Sequence, residues 1–218
     1  ILIGGIKRIG HFAEKVVPLM AILYIIGSIA IVAMHYQNIL PALHMIFVGA
    51  FNPQAVAGGI FGATIRQAVR YGVARGLFSN EAGMGSTPHA HAVAKVAHPV
   101  DQGLVSIVGV FVDTFIVLTL TALVILTTGV LGNGKTGIEL TQSAFNQGFG
   151  AWGSPFIAIC LLFFAFTTII GWAFFGEANI KYLFVRRFGK SPLYIYRILV
   201  LAFVILGSLV KVDFIWEL

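Results

Sequence analysis

Residues 40–76 form an apolar stretch that carries its own breaker, NPQAVAGGIFG at 52–62. A helix rises about 1.5 Å per residue, so about 20 residues cross a hydrocarbon core of about 30 Å. The stretch is too long for one plain crossing. Pro53 removes a backbone N–H, and Gly58 and Gly59 are the poorest helix formers after proline. Freed backbone groups are costly in lipid, so irregular backbone at that depth must face protein or a watery cavity. The expectation is a helix broken near the membrane midplane, with its peptide ends offered to a small ligand. A proline kink with close-packed glycines is the plainer alternative.

The rest of the chain agrees with a bilayer as solvent. Of its residues 58% are hydrophobic and 10% charged, against about 25% charged in a soluble domain. An all-α integral membrane protein follows, read as one transmembrane domain over 1–218 with five spans at 16–34, 40–76, 103–131, 155–185 and 194–210. Residues 1–14 read as a loop or amphipathic lead-in, which puts Pro18 in the first turn of the first span, where proline is tolerated. Between spans, a short helix is expected over 88–97 with Thr87 as its cap. An amphipathic one is expected over 138–147, with Ile138, Leu140, Ala144 and Phe145 on its apolar side. The chain opens on Ile1 and ends on an apolar run, so further spans are expected on both sides. The single cysteine, Cys160, lies in an apolar run and reads as a buried hydrophobe.

The net charge of +6 follows the membrane rather than pointing to nucleic acid. With the first residues cytoplasmic, alternation places Lys7, Arg8, Lys15, Arg66, Arg70, Arg75, Lys95, Lys181, Arg186, Arg187, Lys190 and Arg197 inside. Only Lys135 and Lys211 fall outside, two of the 14 basic residues. That is the positive-inside bias of a multi-pass protein of the cell membrane.

Three constellations could carry chemistry. In FAFTTIIGW, a turn of about 100° per residue puts Ala165, Thr168 and Trp172 on one face with Gly176 and Asn179, and Thr167 adjoins it. Adjacent hydroxyls beside a small residue suit a hard monovalent cation; alternatively the threonines bond back to their own helix or across to a neighbour. Asp113 lies inside the third span, sharing a face with Ser106, Thr121 and Thr128. It reads as an ion or proton site, as a bridge to a neighbouring helix through Asn80, Arg66, Arg70 or Arg75, or as a protonated structural acid. The third is the polar stretch 75–92. Its glycines lack the GK[ST] of a phosphate loop, and His89 and His91, with His98 just beyond, lack a cysteine or nearby carboxylate to complete a metal site. An intramembrane enzyme built on Glu81, His89 and His91 would lack a nucleophile–base pair at sensible spacing. His44, alone on an apolar helix, reads as a packing histidine.

GLFSNEAGMGSTPHAHA, then HPVDQGLVSIVGVFVDT, then FAFTTIIGW, together with GGIKRIG and FNPQAVAGG, resemble the sodium:alanine symporter family along essentially the whole chain. The resemblance implies a leucine-transporter-like inverted-repeat helical bundle with a discontinuous helix. On it, this chain is the C-terminal part of a longer transporter whose N-terminal spans supply the other half of the site. The function implied is sodium-coupled symport of alanine or glycine by alternating access, with proton coupling through Asp113 as the alternative. Na+ is the co-transported ion, held by Thr167 and Thr168 with Ala165 beside them. The substrate is bordered by Gly58, Gly59, Phe61, Gly62, Thr168 and Trp172, with Phe51 and Gln54 as outer candidates.

Overall fold

The computed structural model describes residues 5–51 and 65–210. The described chain is helical throughout, with no strand among these residues. Its elements are α1 (Gly5–Met34), a 3-10 turn Tyr36–Asn38, α2 (Ile39–Phe51), α3 (Ile65–Ser79), α4 (Pro99–Thr127), α5 (Gly137–Phe149), α6 (Gly153–Ile180) and α7 (Ser191–Leu209). Among the described residues, four helical stretches are long and apolar enough to cross a bilayer: Gly10–Met34, Pro99–Thr127, Gly137–Val185 (which takes in α5 and α6) and Ser191–Leu209. The interruption expected at 52–62 lies outside the described residues, between α2 and α3.

Two local expectations change. From Gly5 the lead-in is helical and continuous with the first span, so Pro18 sits inside α1 rather than in its first turn. The short helix after α3 is a single turn, Thr87–His91, with Ser86 rather than Thr87 at its N-cap. The Ser86 hydroxyl is committed elsewhere, donating to Glu81 Oε2 at 2.6 Å. The chain then turns towards α4, which starts early because His98 and Asp101 form a reciprocal capping box ahead of Pro99.

The chain forms two compact units. The larger unit is Pro18–Leu162; the smaller is Ile1–Val17 with Phe163–Leu218. In the larger unit, Phe145 on α5 is fully buried. It stacks on Phe156 of α6 with ring centroids 5.5 Å apart, and Tyr24 of α1 lies 5.8 Å away. Gly27 makes room for this cluster, since a Cβ there would stand 2.5 Å from Phe156 Cζ. Cys160 is buried on the same stretch of α6, and His44 is exposed rather than packed.

Polar side chains stitch α4 to its neighbours. Tyr24 Oη and Thr121 Oγ1 lie 2.6 Å apart; Thr121 donates its own hydrogen to Val117 O at 2.7 Å, so Tyr24 is the donor between them. Asn38 Nδ2 donates to Thr127 O at 2.7 Å. In the smaller unit, Phe12 of α1 meets Phe166 of α6 edge to face, 5.4 Å between centroids. There α6 is also joined to α7 by the contacts described next.

Candidate functional site

The upper half of α6 has two unlike faces. One is buried and pinned. Ile170, Ala173 and Glu177 lie on it, 3%, 6% and 7% exposed. Tyr196 of α7 donates its hydroxyl to Ala173 O at 3.0 Å. Arg197 forks onto the Glu177 carboxylate, Nε to Oε2 at 3.1 Å and Nη2 to Oε1 at 3.2 Å. Lys181, one turn on, reaches Oε1 at 2.7 Å. Gly176, expected on the face of Thr168 and Trp172, instead meets α7: it lets Tyr196 come this close, because a Cβ there would run into its ring and hydroxyl. A planar guanidinium bidentate on a carboxylate fixes angle as well as distance, so α6 and α7 are clamped together.

The opposite face carries the residues expected to bind. From Thr168 to Glu177 is nine residues, a rotation of about 180° at about 100° per residue. Ala165, Thr168 and Trp172 are exposed and Thr167 is half-buried. The plainer reading of the hydroxyls is present in the structure. Thr167 Oγ1 donates to Phe163 O at 2.9 Å and Phe164 O at 3.1 Å, and Thr168 Oγ1 donates to Phe164 O at 2.8 Å. This back-bonding does not use up the oxygens. A hydroxyl has one hydrogen and two lone pairs, so Thr168 can still accept while its hydrogen is spent on the helix's own carbonyl. The partners expected across the substrate, Gly58, Gly59, Phe61 and Gly62, lie outside the described residues.

Asp113 acts as a bridge, with a different partner from those expected. Ser79, the last residue of α3, donates Oγ to Asp113 Oδ2 at 2.6 Å. Asn80 takes the neighbouring residue instead, accepting from Thr114 Oγ1 at 3.0 Å. Both contacts fall where α4 widens into a π segment, Val112–Leu118. In the polar loop, Glu81 accepts from Ser86, His89 Nδ1 lies 3.0 Å from Gly85 O, and His91 Nδ1 lies 2.6 Å from Gln102 Nε2. Glu81, His89 and His91 thus each have a partner of their own in the loop or on α4. Among the described residues, no group of three or more His, Cys, Asp or Glu could hold a metal ion.

The Glu177–Arg197 clamp escaped the sequence reading, which counted Arg197 only as one more inward charge. A signal was available: FGEANIK spaces Glu177 and Lys181 by one helical turn, and YIYRILV buries an arginine in an apolar run. A carboxylate in one span and a guanidinium in the next are costly apart and therefore expected together.

A family model described as the sodium:alanine symporter family matches residues 1–218. The chain is 41% identical to a probable sodium/glutamine symporter of Bacillus subtilis, over 100% of the chain and 44% of the relative. It is 39% identical to a sodium/alanine symporter of Methanococcus maripaludis, over 100% and 47%. With a sodium/proton-dependent alanine carrier protein of Bacillus sp. (strain PS3) it shares 38% identity, over 100% and 51%. The chain thus spans about half the length of the curated relatives it matches.

Proposed function

Because the chain belongs to the sodium:alanine symporter family, a family of membrane transporters, we propose that it forms part of a sodium-coupled symporter for alanine or glycine, working by alternating access. The observation that carries this reading is the two-faced α6: one face clamped to α7, the other presenting Ala165, Thr168 and Trp172 with Thr167 at its edge. A hard monovalent cation needs several neutral oxygens at close range. Thr167 and Thr168 supply two whose hydrogens are already engaged, with Ala165 too small to crowd the ion. Thr168 and Trp172 then border the substrate. Gly58, Gly59, Phe61 and Gly62 complete its surroundings on the strength of the family resemblance, in a leucine-transporter-like inverted-repeat bundle. The reading requires the open face of α6 to be covered in the whole protein by spans beyond this chain.

The test is uptake of labelled alanine and glycine by proteoliposomes of the full-length protein under sodium, lithium or proton gradients. Sodium-driven accumulation of either, with Thr168→Ala raising the sodium half-saturation at unchanged expression, is the expected result. Sodium activation unaltered in Thr168→Ala counts against the ion site. A second reading, proton coupling through Asp113, is favoured by the sodium/proton-dependent carrier among the relatives. Its mark is uptake driven by a pH gradient without sodium and lost in Asp113→Asn.

A further inference from the structure

Asp113 and Thr114 are consecutive, yet both bond to the end of the same helix. On a regular α-helix, neighbours in sequence point about 100° apart and do not face one partner together. Here the π segment Val112–Leu118 supplies the difference. Its i→i+5 winding is seen again where Thr119 Oγ1 reaches Thr114 O, five residues back, at 3.4 Å. The result is a two-rung contact: Ser79 to Asp113 at 2.6 Å and Thr114 to Asn80 at 3.0 Å. Asn80 is itself folded onto α3, its backbone N–H 3.1 Å and its side-chain Nδ2 3.0 Å from Gly76 O. The last turn of α3 is thereby closed and fastened to α4 in one arrangement.

A carboxylate in an apolar helix needs a use. Among the described residues no ion pair involves Asp113; the pairs are made by Glu14 and Glu177. What the carboxylate does receive is a hydroxyl from α3, the helix that follows the interruption expected at 52–62. We propose that Asp113 is a positioning residue: as hydrogen-bond acceptor for Ser79 it holds the end of α3 against the π segment of α4, so that the two helices move as one piece in the transport cycle. The cycle is taken from the function proposed above; the contact is not, and it can be read without transport.

An acceptor and a carrier of charge respond differently to substitution. Asparagine keeps an oxygen for the Ser79 hydroxyl but cannot carry a proton or neutralise an ion. Exchanging the two residues, Ser79→Asp with Asp113→Ser, rebuilds the same bond with its ends reversed and moves the charge to the other helix. The experiment uses the full-length protein in liposomes. It reads hydrogen exchange at the amides of Asn80 and Ala82, which close on Gly76 O and Leu77 O, alongside uptake of alanine and glycine.

Asp113→Asn is expected to keep exchange and uptake within about threefold of the parent, with the sodium half-saturation and pH profile unmoved. Asp113→Ser, and Ser79→Ala as the milder variant should the first not fold, are expected to speed exchange at those amides by about tenfold and slow uptake about as much. The exchanged pair is expected to return both to within about threefold. Three results overturn the proposal: Asp113→Asn losing uptake or shifting its pH profile, Ser79→Ala leaving exchange at the parent rate, or the exchanged pair behaving no better than Asp113→Ser. If neither amino acid is taken up by the parent, the exchange measurements still decide the contact while the transport reading fails separately.

Discussion

Removing Arg197 should cost more than removing Glu177, although the two belong to one ion pair. Glu177 is 7% exposed; Arg197 meets both of its carboxylate oxygens and Lys181 reaches one of them. In Arg197→Leu the carboxylate stays in place with Lys181 alone, a side chain that is 48% exposed and reaches it from one turn away. Breaking a buried pair from one side costs about 3–5 kcal/mol, and the remaining lysine places this case near about 3. In Glu177→Leu the stranded groups are cations on long stems. Arg197 is 22% exposed and Lys181 more so, and both can carry their charge towards water, for a cost of about 1–2 kcal/mol. The double variant to leucine is expected near neutral, because an apolar pair often replaces a buried ion pair without loss. Denaturant titration of the four proteins in mixed micelles gives the cycle. Glu177→Leu costing more than Arg197→Leu, or a double variant costing the sum of the singles, would refute the claim that α6 and α7 are held by a desolvated bidentate pair.

The same clamp predicts that Gly176→Ala, which drives a methyl into Tyr196, costs about 1–3 kcal/mol. Tyr196→Phe in that background should recover part of the loss, measured as thermal midpoint in detergent. Phe145→Ala empties a fully buried ring position among Tyr24, Phe149 and Phe156 and should cost about 3–5 kcal/mol; a loss under about 1 kcal/mol would mean that the cluster closes over the gap. Thr167→Val keeps shape but removes the hydroxyl, so it should raise the sodium half-saturation of uptake without altering the melting midpoint by more than a few degrees. Equal sodium dependence in Thr167→Val and the parent would leave Thr167 as a back-bonded helix residue only.

Elements set by local chemistry were legible in the sequence, and those set by a distant partner were not. The amphipathic helix expected over 138–147 is α5, with Ala144 and Phe145 buried as their spacing required, though Ile138 is 43% exposed. The face of Ala165, Thr168 and Trp172 could be drawn from periodicity alone, because α6 winds regularly over Gly153–Ile180. Which way that face pointed could not, since the opposite face is chosen by Tyr196 and Arg197, about 20 residues on in another helix. The short helix expected over 88–97 failed for a similar reason. Thr87 is a good cap by type, but Ser86 and Glu81 bond to each other and leave the turn at Thr87–His91 without a side-chain cap.

The third span shows the limit of periodicity most clearly. At a uniform turn, Asp113 and Thr121 are expected to share one face. In the structure Asp113 meets Ser79 of α3 and Thr121 meets Tyr24 of α1. Asp113 lies inside Val112–Leu118 and Thr121 beyond it, so the wider winding of that segment carries the two out of phase. VDTFIVL contains no glycine or proline to announce it, and its β-branched residues fit a strand better than any helix. A π segment is maintained by what it gains outside its own backbone, here Asn80 for Thr114 and Ser79 for Asp113. If those side chains hold the segment open, then Ser79→Ala together with Thr114→Val should let α4 relax to regular winding. Regular winding would rotate everything beyond Leu118 relative to Pro99. The Tyr24–Thr121 bond, seven residues beyond Thr114 on α4, should then be the first contact to suffer, visible as a changed environment for Tyr24 in its fluorescence or ring resonances. A Tyr24 signal identical to the parent's in that double variant would show that the winding is intrinsic to VDTFIVL and that α3 merely docks on it.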